Sequence, residues 1–121
     1  MRTRRPLAAV ASLFLAVVAL PATALADESG TAGSVSLVDV NTPSADTYLE
    51  YHGRVVVLSG KTTKTEYRWG GTSCGTRVVP ADMVEVLVEA SRNADVVVTP
   101  SFQVGQGDAK CLVGFTVNKK R

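Results

Sequence analysis

Leu7 to Leu20 is a run of Leu, Ala, Val and Phe with a single Ser, and it limits how much of the chain is left to fold. Arg2, Arg4 and Arg5 precede it and Pro21 ends it. Ala24-Leu25-Ala26 then offers the small-x-small site that a signal peptidase needs. At 14 residues the run is too short to span a bilayer. The expectation is a signal peptide over 1–26, cut after Ala26, with Ala22-Thr23-Ala24 as a second site. Thr3-Arg4-Arg5 raises twin-arginine export as the route.

Removing 26 of the 121 residues leaves 95, enough for one small domain. Three of the 13 basic residues leave with the leader, so 10 face 11 acidic ones and the formal net charge becomes −1 in place of +2. Overall charge therefore lends no support to nucleic acid as a partner. The Lys119-Lys120-Arg121 end reads as a solvated tail. Two cysteines remain, Cys74 and Cys111, and an even pair in an exported chain reads as one disulfide. It would close a loop of about 38 residues, which chain entropy values at roughly 4 kcal/mol. Total stability for such a domain is on the order of 5–10 kcal/mol, so the bridge could decide whether the fold survives.

The chain from 27 to 33 is Gly, Ser, Thr and acid, and reads as a flexible leader. Ser34 to Val40 reads as a strand whose apolar phase switches at Leu37-Val38, implying a bulge or two covered faces. Thr47 to Ser59 alternates, with Leu49, Tyr51, Gly53, Val55 and Val57 on one face. It is either one strand kinked at Gly53 or a hairpin turning at His52-Gly53; usual strand lengths favour two. Thr62 to Trp69 alternates Thr and aromatics against Lys64, Glu66 and Arg68. Gly70-Gly71 ends it. Pro80 to Arg92 has a polar stripe of Asp82, Glu85, Glu89 and Arg92 beside a wide apolar arc, which predicts a helix packed deeply on a sheet. Val96–Val104 and Lys110–Asn118 flank the turn Gly105-Gln106-Gly107-Asp108 and predict a hairpin, with Cys111, Val113, Phe115 and Val117 facing inward. The order ββββαββ defines an α+β domain over 34–121. Its antiparallel sheet has about five to six strands, the helix at about 80–92 lies on one face, and one disulfide is present.

Chemistry-bearing patterns are few. Leu58-Ser59-Gly60-Lys61-Thr62 ends like a phosphate loop, but Val55 stands where that motif needs Gly, and a strand follows in place of a helix. It reads as a hairpin turn. One His and two Cys make no zinc set, and no metal or cofactor is expected. Tyr48, Glu50, His52, Arg54, Lys64, Glu66 and Arg68 form mixed-charge strand faces. Tyr, Trp and Arg are enriched where proteins bind, which makes Tyr48, His52, Arg54, Arg68 and Trp69 the candidate surface. The plain alternatives are a solvated sheet face and a core Trp69 packed on the disulfide.

Tyr67-Arg68-Trp69-Gly70-Gly71-Thr72-Ser73 resembles the opening of the active-site segment in papain-like cell-wall endopeptidases of the NlpC type. In that family the run leads on to Asp-Cys-Ser, whose Cys opens a helix as nucleophile, with a downstream His as base. The resemblance implies Cys74 as a nucleophile. Here Cys74 follows the run at once, no Asp precedes it, and the only His, His52, lies upstream. A thiol nucleophile needs a base within hydrogen-bond reach.

The sequence thus points to a small exported protein, periplasmic or extracellular, with no membrane span once the signal is removed. Its expected role is that of a non-enzymatic binding or inhibitor-type module for a protein or cell-envelope ligand. A cysteine hydrolase built on Cys74 and a structural accessory domain are the alternatives, and the oligomeric state is open. The intact mass of the exported protein, read after alkylation without reductant, should correspond to a chain starting at Asp27 with no thiol labelled. A start elsewhere, or a fast-labelling Cys74, would reverse these expectations.

Overall fold

The computed structural model describes residues 27–120. The expected signal peptide, 1–26, lies outside the described residues. Six strands form one sheet: β1 (Glu28–Ser29), β2 (Ser34–Val40), β3 (Gly53–Ser59), β4 (Thr63–Trp69), β5 (Val96–Val104) and β6 (Lys110–Lys119). Two helices lie between β4 and β5: the single turn α1 (Gly71–Cys74) and the main helix α2 (Ala81–Ser91). Cys74 and Cys111 are joined by a disulfide. This is a small α+β fold. Among the described residues no helix is long and apolar enough to cross a membrane.

Strand order is β1-β5-β6-β4-β3-β2. The sheet is mixed: β4 and β6 run parallel, paired at the single position Arg68 opposite Cys111, and every other pairing is antiparallel. A parallel neighbour needs a long crossover, and α1, α2 and β5 supply it. The β5–β6 hairpin forms as its turn residues predict.

The segment expected to be a flexible leader runs along β5. Glu28 and Ser29 pair with Phe102 and Ser101. Gly30 N–H donates to the Pro100 carbonyl, and Gly33 exchanges backbone hydrogen bonds with Val98. The same segment then crosses to pair with β3 from Ser34 onward. One stretch of chain thus serves β5 at one edge of the sheet and β3 at the other, so both edges are partly covered. Pro100 fits inside β5 because its position faces this edge, where Gly30 needs only its carbonyl.

Two bulges set which side chains face the core. One lies between Val35 and Leu37, where the apolar phase of β2 switches. The other lies in β6, between Leu112, opposite Phe102, and Gly114, opposite Ser101. It breaks the expected inward face of Cys111, Val113, Phe115 and Val117. Leu112, opposite Phe102, and Phe115, opposite Pro100, turn to the core, and Cys111 turns to the other face beside Arg68. The core joins Val35, Val55, Val57, Tyr67, Trp69, Val98, Phe102 and Leu112 of the sheet to Leu87 and Ala90 of α2. The helix sits more shallowly than its wide apolar arc suggests: only Leu87 and Ala90 are buried, and Val86 stays exposed. Pro80 is its N-cap, with an extended backbone.

Residues 47–52 are not strand. Asp46–Leu49 is a 3₁₀ turn, held by hydrogen bonds from the Glu50 and Tyr51 N–H groups to the Thr47 carbonyl. Tyr48 and His52 stack at 4.3 Å, a helical spacing hidden in an alternating sequence. β3 begins at Gly53, where glycine is needed because a Cβ would overlap the indole of Trp69. Gly53→Ala should therefore cost about 1–3 kcal/mol by overpacking, read as a lower urea midpoint with altered Trp69 emission. An unchanged midpoint would mean that the indole has room to move.

Candidate functional site

Neighbouring residues of a strand face opposite ways, so Arg54, Glu66 and Arg68 stand on the face of the sheet away from the core. Arg54 and Arg68 are directly opposite in the β3–β4 ladder. Like charges across a ladder repel, and here carboxylates hold them. Arg54 Nη1 donates to Glu66 Oε2 at 2.7 Å, and Arg68 Nε donates to Glu66 Oε1 at 2.9 Å. Arg54 Nε also donates to Asp39 Oδ2 at 3.2 Å. Arg68 Nη1 donates to the Ser73 hydroxyl at 3.1 Å. Both guanidiniums lie over the ring of Tyr51, Arg68 at 4.6 Å and Arg54 at 5.8 Å from its centroid. Tyr51 is 6% exposed, so it is a buried floor for the two cations. The Arg54 pKa is raised, first by its hydrogen bond to Glu66, against the opposing effect of burial.

The glycines of the Tyr67–Ser73 run explain how this corner is built. Gly70 and Gly71 have φ of +74° and +69°, backbone that side chains rarely adopt. A Cβ on Gly70 would strike the His52 ring, and one on Gly71 would strike the backbone of Glu50. The tight turn places α1 over the end of β4, where Ser73 N–H donates to the Glu50 carbonyl at 2.9 Å. Cys74 then reaches Cys111, and both are buried. Two clefts flank this bridge. One, of about 600 Å³, runs past Thr72–Arg77 to Gln103 and Gln106. The other, of about 610 Å³, lies between Glu50, the outer face of β4 and Gln106–Lys110.

The candidate surface is divided by this arrangement. Arg54 and Arg68 are brought together. Trp69 is 3% exposed and belongs to the core on the α2 side, where Val79 and Val84 adjoin it, and not on the disulfide. His52 lines the same side as Trp69, with Tyr48 stacked on it. Tyr51, Asp39 and Ser73 join the cluster without a signal in the sequence that marks them as site residues. Tyr51 is concealed by an alternation that places it on one face of a strand, Asp39 enters through its register opposite Arg54 in the β2–β3 ladder, and Ser73 through the turn at Gly70-Gly71. Because the Cys74 sulfur is bonded to Cys111, the thiolate that a cysteine nucleophile requires is not present. Among the described residues no three His, Cys, Asp or Glu side chains cluster as metal ligands do.

Comparison of the chain with protein-family models, with curated proteins and with solved structures finds no match.

Removing the Glu66 carboxylate leaves two opposed guanidiniums with no acid between them, Asp39 holding Arg54 from the β2 side. Glu66→Ala should destabilise the domain by about 1–2 kcal/mol, hydrogen bonds to charge being worth more than exposed ion pairs. The difference from wild type should narrow in high salt, where the repulsion is screened, and Glu66→Gln should fall between the two. Chemical unfolding at low and high salt checks this; equal stability for all three proteins would show that Glu66 bridges nothing of consequence.

Proposed function

We propose that this is a small exported binding module of the cell envelope or secretome that acts without catalysis. It would engage a protein or envelope ligand through the cleft beside the Tyr51–Arg54–Glu66–Arg68 cluster. The observation that carries the reading is that this cluster is built in advance. Two arginines are fixed by three acceptors over an aromatic floor, at the border of a polar cleft. A surface whose side chains are already ordered loses little conformational freedom on binding. Arginine and tyrosine are also among the residues that dominate binding energy.

Connectivity supports the same location. If β1 and β2 count as one strand that pairs with both β3 and β5, five strands remain. The last strand lies parallel to the third, and the main helix follows the third. This layout corresponds to the partly open Greek-key barrel of the OB-fold, which binds ligands against its second and third strands and the adjoining loops. Fold-level likeness supports a place for the ligand and not its identity. The disulfide fits an oxidising compartment and with it an exported protein.

The test is affinity capture from envelope and culture extracts with immobilised protein, wild type against Arg68→Ala, after circular dichroism has shown both folded. A partner retained by wild type and lost by Arg68→Ala is the expected result. No partner, or equal retention by both, would overturn the proposal.

A further inference from the structure

β4 meets β6 at one position only, Arg68 opposite Cys111. Before Cys111 the chain turns away into the hairpin at Gly105–Ala109, so β6 leaves the earlier part of β4 without a neighbour on that side. The direction of the free groups follows from two contacts. The Trp69 carbonyl accepts from His52 N–H, on the β3 side. The Arg68 carbonyl oxygen lies 3.5 Å from Cys74 Sγ, on the β6 side. Successive residues of a strand turn their N–H and C=O groups to alternate sides, so Lys64 and Glu66 present theirs to the same side as Arg68. The 610 Å³ cleft opens along this edge, lined also by Glu50, Ser73 and Gln106–Lys110.

We infer that the open edge of β4 at Lys64–Glu66 takes an extended peptide as an added strand, with an acidic side chain opposite Lys64. The inference rests on the binding-module reading above and names its ligand. A row of unpaired backbone groups is complementary to another backbone, the basis of recognition by strand addition. No aromatic residue lines the cleft, so bases lack the stacking platform on which single strands are held. Glu50, Glu66 and Asp108 balance Lys64, Arg68 and Lys110, so the cleft is not the basic groove that tracks a nucleic-acid backbone. The turn at Gln106–Ala109 stands beside this edge, so a lone extended segment fits where the edge of a second folded copy would meet that turn. Lys64 makes no ion pair among the described residues, whereas Glu66 is held by both arginines. A cross-strand carboxylate is therefore complementary to Lys64.

The experiment is selection of a phage-displayed random dodecapeptide library on the disulfide-intact protein, with the strongest binder synthesised and titrated by fluorescence anisotropy. Lys64→Pro removes the edge N–H while leaving the β3 ladder, since proline is tolerated where that group faces away from a neighbour. It should weaken binding at least about tenfold, the worth of one well-made hydrogen bond. Lys64→Ala keeps the amide and should weaken binding by only about threefold, the scale of an exposed ion pair. Hydrogen exchange at the Lys64 and Glu66 amides should slow in the complex, a readout that needs no variant. A peptide indifferent to Lys64→Pro, with both amides unprotected, overturns the inference. Parallel titrations use a short single-stranded oligonucleotide and a chitooligosaccharide. Binding of either at the cleft, with no peptide selected, overturns strand addition and leaves the binding module standing. Failure of all three probes to shift any cleft amide counts against both.

Discussion

The Cys74–Cys111 bridge crosses the weakest seam of the molecule. β3 and β4 are paired along their whole length, and so are β5 and β6. Between these two halves the backbone ladder has one position, Arg68 opposite Cys111. The disulfide is placed at that position, tying α1, which follows β4 directly, to the strand that β4 barely touches. Its 37-residue separation spans α2 and β5, so the cross-link removes much of the freedom that would let the halves part. A loop of that size is worth roughly 4 kcal/mol in the chain-entropy model, comparable with the whole stability of a small domain. The second tie between the halves is the segment from Glu28 to Val40, which serves β5 and then β3.

Everything on the outer face depends on that seam being held but not filled. Because β6 touches β4 only near its end, α1 can sit over the join and place Ser73 against Arg68. The rest of the β4 edge stays open beside Lys64 and Glu66. The two arginines would repel if they were free. Held by Glu66, Asp39 and Ser73 over Tyr51, they become a fixed surface. The Tyr67–Ser73 run that resembles a hydrolase segment is used here for shape. Its glycines make the turn that brings Glu50, His52 and α1 together, and its following cysteine serves as a staple.

Several elements are legible in the residue pattern alone. The α2 helix follows from its polar stripe, the two hairpins from their glycine turns, and the disulfide from an even cysteine count read beside the expected signal peptide. Lys64, Glu66 and Arg68 on an outward face follow from clean alternation in β4. The stretch at 47–52 is not legible in this way, because its alternation is compatible with a strand. A 3₁₀ turn there is decided by the Tyr48–His52 stack and the docking of α1 on Glu50. The face occupied by Cys111 is equally hidden. A bulge adds one residue to β6, and a shift of one residue moves every later side chain to the other face.

The sequence alone determined what local chemistry controls. Residue spacing selected helix or strand, glycines marked the turns, and the even cysteine count pointed to the bridge. Tertiary structure decided what depends on distant partners meeting. It set the parallel seam between β4 and β6, the use of residues 28–40 by both edges of the sheet, and the burial of Trp69 on one face while Arg68 remains on the other. It also brought Asp39, Tyr51, Arg54, Glu66, Arg68 and Ser73 into one cluster. Periodicity reports which way a side chain points relative to its own strand. Which strand lies beside it, and in which register, is fixed only when the core closes and the edges find their neighbours.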